Sequence, residues 1–403
     1  MKYLAAAAAA LLIPGAANAE TFALRPLIDL RVRYEHVEQD GLSDDARAFT
    51  MRIRPGVSLS AGPWSVLAEA EATAALVDDY NSGTNGRLDH PLVVDPQNVE
   101  LNRVQMRYAD GKGHAATLGR QVLELADQRF VGSSNFRQNQ QTFDAARIQL
   151  GKANGPFADL TYAWSDRTVN GIHGQGARQQ AVSGDNVFAL AGHQSVPVTL
   201  TVFAYLVDQD ELAVQGFRLS SQTYGARMAG AVAIKGVGKV TYALSGARQS
   251  NYGRNPNDYS ARYWLAEATL SGYRGFSIGA GYEVLGADEG LPLTSVQTPL
   301  ASLFKFNGWA DKFTTTPPNG LRDFYGSAGY SSKKFAPFDT FDVTVTYHRF
   351  HSDRLDQRYG KELDLLASVK KKRLALSARL ARYHASMFAT DTTKIWLEAD
   401  WAM

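Results

Sequence analysis

The chain contains no cysteine at all. That absence excludes a disulfide scaffold, thiolate metal centres and cysteine nucleophiles. An excess of one charge sign is also missing: 42 Lys and Arg stand against 40 Asp and Glu, a formal net charge of +2. Nucleic-acid binding, which normally shows as a marked basic excess, therefore has no support. No apolar run reaches the ~20 residues that a bilayer-crossing helix needs. The mean hydropathy is −0.25, and a helical membrane bundle is excluded. There is no Walker-type or dinucleotide glycine pattern and no serine in a Gly-x-Ser-x-Gly elbow, so a nucleotide enzyme or a hydrolase has little to rest on. Aromatics, by contrast, make up 11% of the 403 residues, too many for a disordered chain. A soluble globular protein or a membrane β-barrel remains.

The N-terminus sets the compartment. Met1 and Lys2 supply a positive start, Leu4 to Ile13 is unbroken apolar, Pro14-Gly15 breaks any helix, and Ala17-Asn18-Ala19 offers small residues before a cut. This is the pattern of a secretory signal over residues 1–19, cleaved after Ala19. Residues 20–403 then form the mature unit, with no composition shift that would split off a second domain.

From residue 24 onward the chain alternates with a period of two. Ile28, Leu30, Val32 and Tyr34 alternate with Asp29, Arg31, Arg33 and Glu35. Met51 and Ile53 alternate with Arg52 and Arg54, and the final run sets Ile395, Leu397 and Ala399 against Trp396, Glu398 and Asp400. A soluble β-sandwich also alternates. Its strands, however, average ~5–6 residues, whereas many runs here reach the ~10 that a tilted membrane strand requires. The polar phase is also dense with charge, which a dry core does not accept and a wet lumen does. Tyr34, Trp64, Tyr162 and Phe276 close apolar faces near strand ends, as an interfacial girdle does.

The fold class expected is all-β: a single transmembrane antiparallel barrel of about 18 strands. Tight turns such as Ala61-Gly62-Pro63 and Asp110-Gly111-Lys112-Gly113 alternate with long connections at 75–97, 124–142, 168–185, 250–258 and 286–320. These read as short periplasmic turns and long outer loops. A secreted adhesin is the main rival fold.

Two blocks then carry a family resemblance. The first holds Gly119-Arg120-Gln121, Asp127-Gln128-Arg129-Phe130-Val131-Gly132, Phe136-Arg137-Gln138-Asn139 and Gln141-Thr142-Phe143-Asp144-Ala145 with Arg147. The second holds Gln297-Thr298-Pro299-Leu300, Phe306-Asn307-Gly308-Trp309-Ala310-Asp311-Lys312-Phe313 and Thr316-Pro317-Pro318-Asn319-Gly320-Leu321, with Asp323 and Tyr325. Together with Arg52-Ile53-Arg54-Pro55-Gly56, they resemble the signatures of the alginate-export outer-membrane porin family over essentially the whole mature chain. The resemblance implies an 18-stranded barrel in the outer membrane whose arginine-rich lumen passes a polyanionic polysaccharide. Phe136 and Phe304 stand where relatives are expected to carry a Trp and a His.

Strand phase places Arg31, Arg33, Arg52, Arg54, Arg103 and Arg107 on the lumenal face, and the first block adds Arg120, Arg129, Arg137 and Arg147. Guanidinium forks stay charged and pair bidentately with carboxylates, so a cluster of them concentrates anions. Glu35, Glu69, Glu71, Glu100 and Asp144 are the expected countercharges. The segment 286–320, with Lys305, Trp309, Asp311 and Lys312, is too long for a passive tip and reads as a pore or gate loop. No catalytic residue, metal site or cofactor is expected. His348 and His351 lie three apart, on opposite faces of a strand.

The leading expectation is a monomeric, non-enzymatic channel for an anionic, alginate-like polysaccharide or oligosaccharide. Its partners are outer-membrane lipid and that polymer, driven by a gradient or a periplasmic partner. The alternatives are a general porin for small organic acids or sugars, a barrel hydrolase and a secreted adhesin.

Overall fold

The computed structural model describes residues 22–403 apart from 153 and 334. The signal segment expected at 1–19 lies outside the described residues. Eighteen strands form in chain order. They begin with β1 Ala23–Gln39, β2 Ala46–Ala61, β3 Trp64–Asp79, β4 Asn98–Ala109, β5 Ala115–Gln121 and β6 Thr142–Gly151. β7 Gly155–Arg167, β8 Ala181–Gln194, β9 Val198–Val207, β10 Ser221–Ile234, β11 Gly238–Asn251 and β12 Ser260–Tyr273 follow. The last six are β13 Phe276–Leu285, β14 Leu321–Ser332, β15 Thr340–His351, β16 Arg358–Lys371, β17 Leu374–Ala385 and β18 Thr392–Ala402.

Each strand pairs antiparallel with the next, and β1 pairs with both β2 and β18, running from Asp29↔Ala402 to Gln39↔Thr392. No edge is left open, as a structure in hydrocarbon demands. The described part is an 18-stranded closed barrel.

The alternation sets what faces out. Met51, Ile53, Leu118, Ile148, Leu160, Leu200, Val202, Ile278 and Leu397 are exposed on the outer wall. Trp64, Tyr162, Trp264, Phe276 and Phe324 are exposed with them, and Tyr34 is half-buried. The inward phase is less uniformly polar than the sequence pattern suggests. Phe143, Phe188, Tyr205, Tyr263, Phe350, Tyr383 and Trp396 all point inward and are buried. They bury against two long connections folded into the barrel, 122–141 and 286–320. The outer half of the barrel therefore has a dry core between wall and loops, which no alternation count distinguishes from open lumen.

These two connections clasp each other. Val131 bridges Leu300, Gly132 N–H donates to the Leu300 carbonyl at 2.8 Å, and the Gln141 amide donates to the Gly132 and Leu300 carbonyls at 2.8 Å each. Ser302 N–H donates to the Gln128 carbonyl at 3.1 Å. A polar backbone taken into the barrel must find partners there, and each loop supplies them for the other.

Candidate functional site: a charged constriction in the lumen

β1 and β2 place four of the expected arginines. Arg31 stands opposite Arg52 in register, and Arg33 and Arg54 lie one period away on the same inward face. All four are buried. Burying guanidinium groups costs several kcal/mol each unless they are paired, and the wall supplies carboxylates. Arg31 donates to Asp400 at 2.7 Å and Arg54 to Glu71 at 2.5 Å, while Arg52 pairs with Asp29. Glu398 gathers three arginines: Arg33 at 2.8 Å, Arg379 at 3.2 Å and Arg31 at 3.6 Å. Arg33 also reaches Asp95 at 3.1 Å. Nε and Nη1 of Arg52 are buried without a hydrogen-bond partner.

The rest of the inward set sits along β3 to β7. A register shift in β4 brings both Asn102 and Arg103 to Glu69, each at 2.8 Å. Arg107 donates to Thr117 at 3.0 Å and Gln149 at 3.1 Å, and Arg147 to Asp159 at 2.5 Å. Glu100 pairs with Arg167 at 3.1 Å. Glu69, Glu71 and Glu100 thus each face an arginine. Glu35 makes no ion pair or hydrogen bond: both its oxygens are buried without a hydrogen-bond partner, although Lys394, Arg137 and Arg33 lie near enough to act on its charge.

Two expected lumenal residues face the other way. Arg120 and Asp144 stand opposite each other on β5 and β6 and pair at 2.7 Å. Their neighbours Gln121 and Phe143 are the buried, inward ones. Arg120 shares the phase of exposed Leu118 and also donates to the carbonyl of Leu101, itself an exposed apolar residue of the outer wall. The pair belongs to the outer surface. Gly119, at φ 112°, shows why the stretch is unusual, since a Cβ there would stand 2.3 Å from the Val104 carbonyl. Only glycine accepts that combination.

The two folded-in loops narrow the lumen. Arg137, at the tip of 122–141, pairs with Asp311 of 286–320, and Lys394 of β18 reaches the same carboxylate at 3.1 Å. Phe136 lies stacked on Phe304, nearly parallel at 4°, and Phe304 in turn stacks on Trp309 at 5.7 Å. Guanidinium groups surround Phe136: Arg33 at 4.2 Å, Arg379 at 5.4 Å and Arg137 at 5.7 Å from its ring centre. Ring faces attract cations at these distances. Trp309 N–H donates to Asp364 at 3.3 Å and Ala310 N–H to Glu362 at 2.7 Å, which anchors the loop to β16. Arg129 reaches Glu283 at 2.8 Å and Asn307 at 3.0 Å.

Beside this constriction is a space of about 780 Å³, lined by both loops and by β1, β17 and β18. Seven cations line it (Arg31, Arg137, Arg178, Arg379, Lys305, Lys312 and Lys394) against Glu124, Asp166, Glu211, Asp311 and Glu398. Lys305 donates to the Asp127 carbonyl at 3.1 Å and Lys312 to Gln39 at 3.0 Å. Among the described residues neither lysine has a carboxylate partner, nor does Arg178. Burial, then the neighbouring Lys394, pushes the Lys312 ammonium down to about 8. Burial would raise the Asp311 carboxyl, but Lys394 and Arg137 beside it hold it below its usual value. Sequence phase missed Arg178, Arg379 and Lys394, although Lys394 shares the phase of Trp396 and Glu398. It also missed Arg227, which meets Asp127 at 2.7 Å.

His348 lies between Asp323 at 3.0 Å and Asp364 at 3.7 Å, and its other neighbours include the Tyr325 and Phe350 rings. Groups of the right type for a cation occur at the outer rim instead, where His36, Glu38 and Asp45, and separately Asp44, Asp89 and His90, come within 4.8 Å.

The barrel is similar in fold to several solved structures. Pseudomonas aeruginosa OpdO matches at 15% identity and a TM-score of 0.66, over 94% of this chain and 97% of that one. Acinetobacter baumannii OccAB4 matches at 12% and 0.68, over 96% and 99%, and Pseudomonas aeruginosa OccK9 (OpdG) at 13% and 0.70, over 94% and 98%. No curated protein matches in sequence. A family model described as alginate export matches residues 27–364. A sealed barrel, two folded-in loops and that match agree: the chain belongs to the alginate export family and is an outer-membrane β-barrel channel.

Proposed function

We propose that the channel passes an acidic polysaccharide or its oligomers, of the polyuronate type, and that the constriction selects it. The observation that carries this reading is the cation excess beside the constriction, seven cations against five carboxylates around one space. A uronate chain offers one carboxylate per sugar. Forks and ammonium groups spaced around Phe136 can exchange successive carboxylates without any one tight site, and the stacked rings offer apolar surface to sugar faces. Pairing tempers Arg31, Arg137 and Arg379, so the attraction stays weak enough for the polymer to leave. The chain acts as a monomeric conduit and not as an enzyme, with the driving force supplied by a gradient or a periplasmic partner.

The test is current block in planar bilayers. Polyuronate added to one side should interrupt single-channel current in a voltage-dependent way, whereas neutral dextran of equal length should not. Equal block by both would make the protein a general porin for small acids or sugars.

A further inference from the structure

On the outer wall, β11 to β17 carry cations that serve no ion pair. Arg248 and Arg262 are cross-strand neighbours in register, and Arg349 and Lys361 form a second such couple. Arg382 stands opposite exposed Leu363. All five share the outward phase, flanked by buried inward residues such as Gln249, Tyr263, Phe350, Glu362 and Tyr383. Among the described residues none of the five meets a carboxylate; Arg248 donates only to the Ser260 hydroxyl, at 2.6 Å. The successive couples step along their strands as the barrel tilts, so they stay near one level. That level is the loop-bearing end. Arg248 is close to the end of β11, and Arg262 close to the start of β12.

Immediately toward the membrane from the first couple, the wall is concave. Gly246 pairs with Trp264, and Leu244 with Ala266, one and two periods below Arg248 and Arg262. With Ala226 and Met228 of β10 they line an apolar groove of about 730 Å³. Small residues make it: a Cβ at Gly246 would stand 2.8 Å from the Trp264 ring, so the glycine lets the indole lie across β11. Two unpaired guanidinium groups thus sit at the head of a groove shaped for a chain.

We propose that this is a lipid site: Arg248 and Arg262 bind a phosphorylated headgroup of the outer leaflet, and the groove below holds one of its acyl chains. Charge complementarity favours a net-negative headgroup bearing phosphate monoesters, because fork pairs bind such phosphates bidentately and neither Arg248 nor Arg262 is held by a carboxylate; Asp288 nearby accepts from the Ser260 N–H instead. Arg349, Lys361 and Arg382 extend the belt to further headgroups. The site is separate from the lumen and does not depend on what the lumen passes.

The experiment uses the full barrel, purified in detergent and exchanged with diphosphoryl lipid A or with phosphatidylcholine. Lipid retained through a detergent wash is counted by native mass spectrometry. Wild type should keep lipid A and lose phosphatidylcholine. Arg248→Gln with Arg262→Gln should cut the retained lipid A severalfold while heat-modifiable migration stays normal. If the double change impairs assembly, Arg262→Gln alone should move retention the same way. Unchanged retention in the assembled variant, or equal retention of the two lipids by wild type, overturns the assignment.

Discussion

Lys312 is a loop group whose charge changes within an accessible pH range. Burial and Lys394 lower its ammonium to about 8, with Glu362 and Asp311 as opposing neighbours. Below that value the constriction holds an extra positive charge, and above it the charge is gone. Anion preference should therefore fall as pH rises from 6.5 to 9.5, read as reversal potential under a salt gradient. Lys312→Arg should flatten the profile at the high-selectivity end, and Lys312→Met at the low end. Phe136 makes a second prediction. Its ring is the platform on which three guanidinium groups and Phe304 stack, so Phe136→Ala should raise single-channel conductance severalfold. Unchanged conductance would remove Phe136 from the narrowest point.

At the scale of elements, the seam between β1 and β18 is held by ladder bonds and by charge. Arg31 and Arg33 cross it to Asp400 and Glu398. Glu398→Gln leaves three buried arginines around a neutral amide, and breaking such a cluster costs about 3–5 kcal/mol. The temperature of the heat-modifiable transition should fall clearly, and an unchanged transition would make the cluster decorative. The clasp between 122–141 and 286–320 predicts that Gln141→Ala, which removes two donors to loop carbonyls, raises open-channel current noise. Period-two reading found these elements well. It gave the strand number, the alternation of short and long connections, and the inward phase of Arg31, Arg33, Arg52 and Arg54. It failed at Arg120 and Asp144 because they were assigned from a motif block and not from phase, although Leu118 two residues earlier already pointed outward. It was silent on Phe188 and Tyr383, because an inward aromatic under a folded-in loop has the same pattern as a lipid-facing one in the opposite phase.

For the whole molecule, a formal net charge of +2 conceals a division of labour. Apolar side chains face lipid, paired charge stiffens the inner wall, and unpaired charge is left at the constriction and on the outer rim. Sequence composition alone averages these out, and only closure of the barrel separates them. The most direct measurement is the zero-current potential of the wild-type channel in a planar bilayer under a tenfold salt gradient at pH 7. The inward-facing cation excess predicts the sign of an anion-selective pore. A cation-selective potential would contradict the account of the lumen.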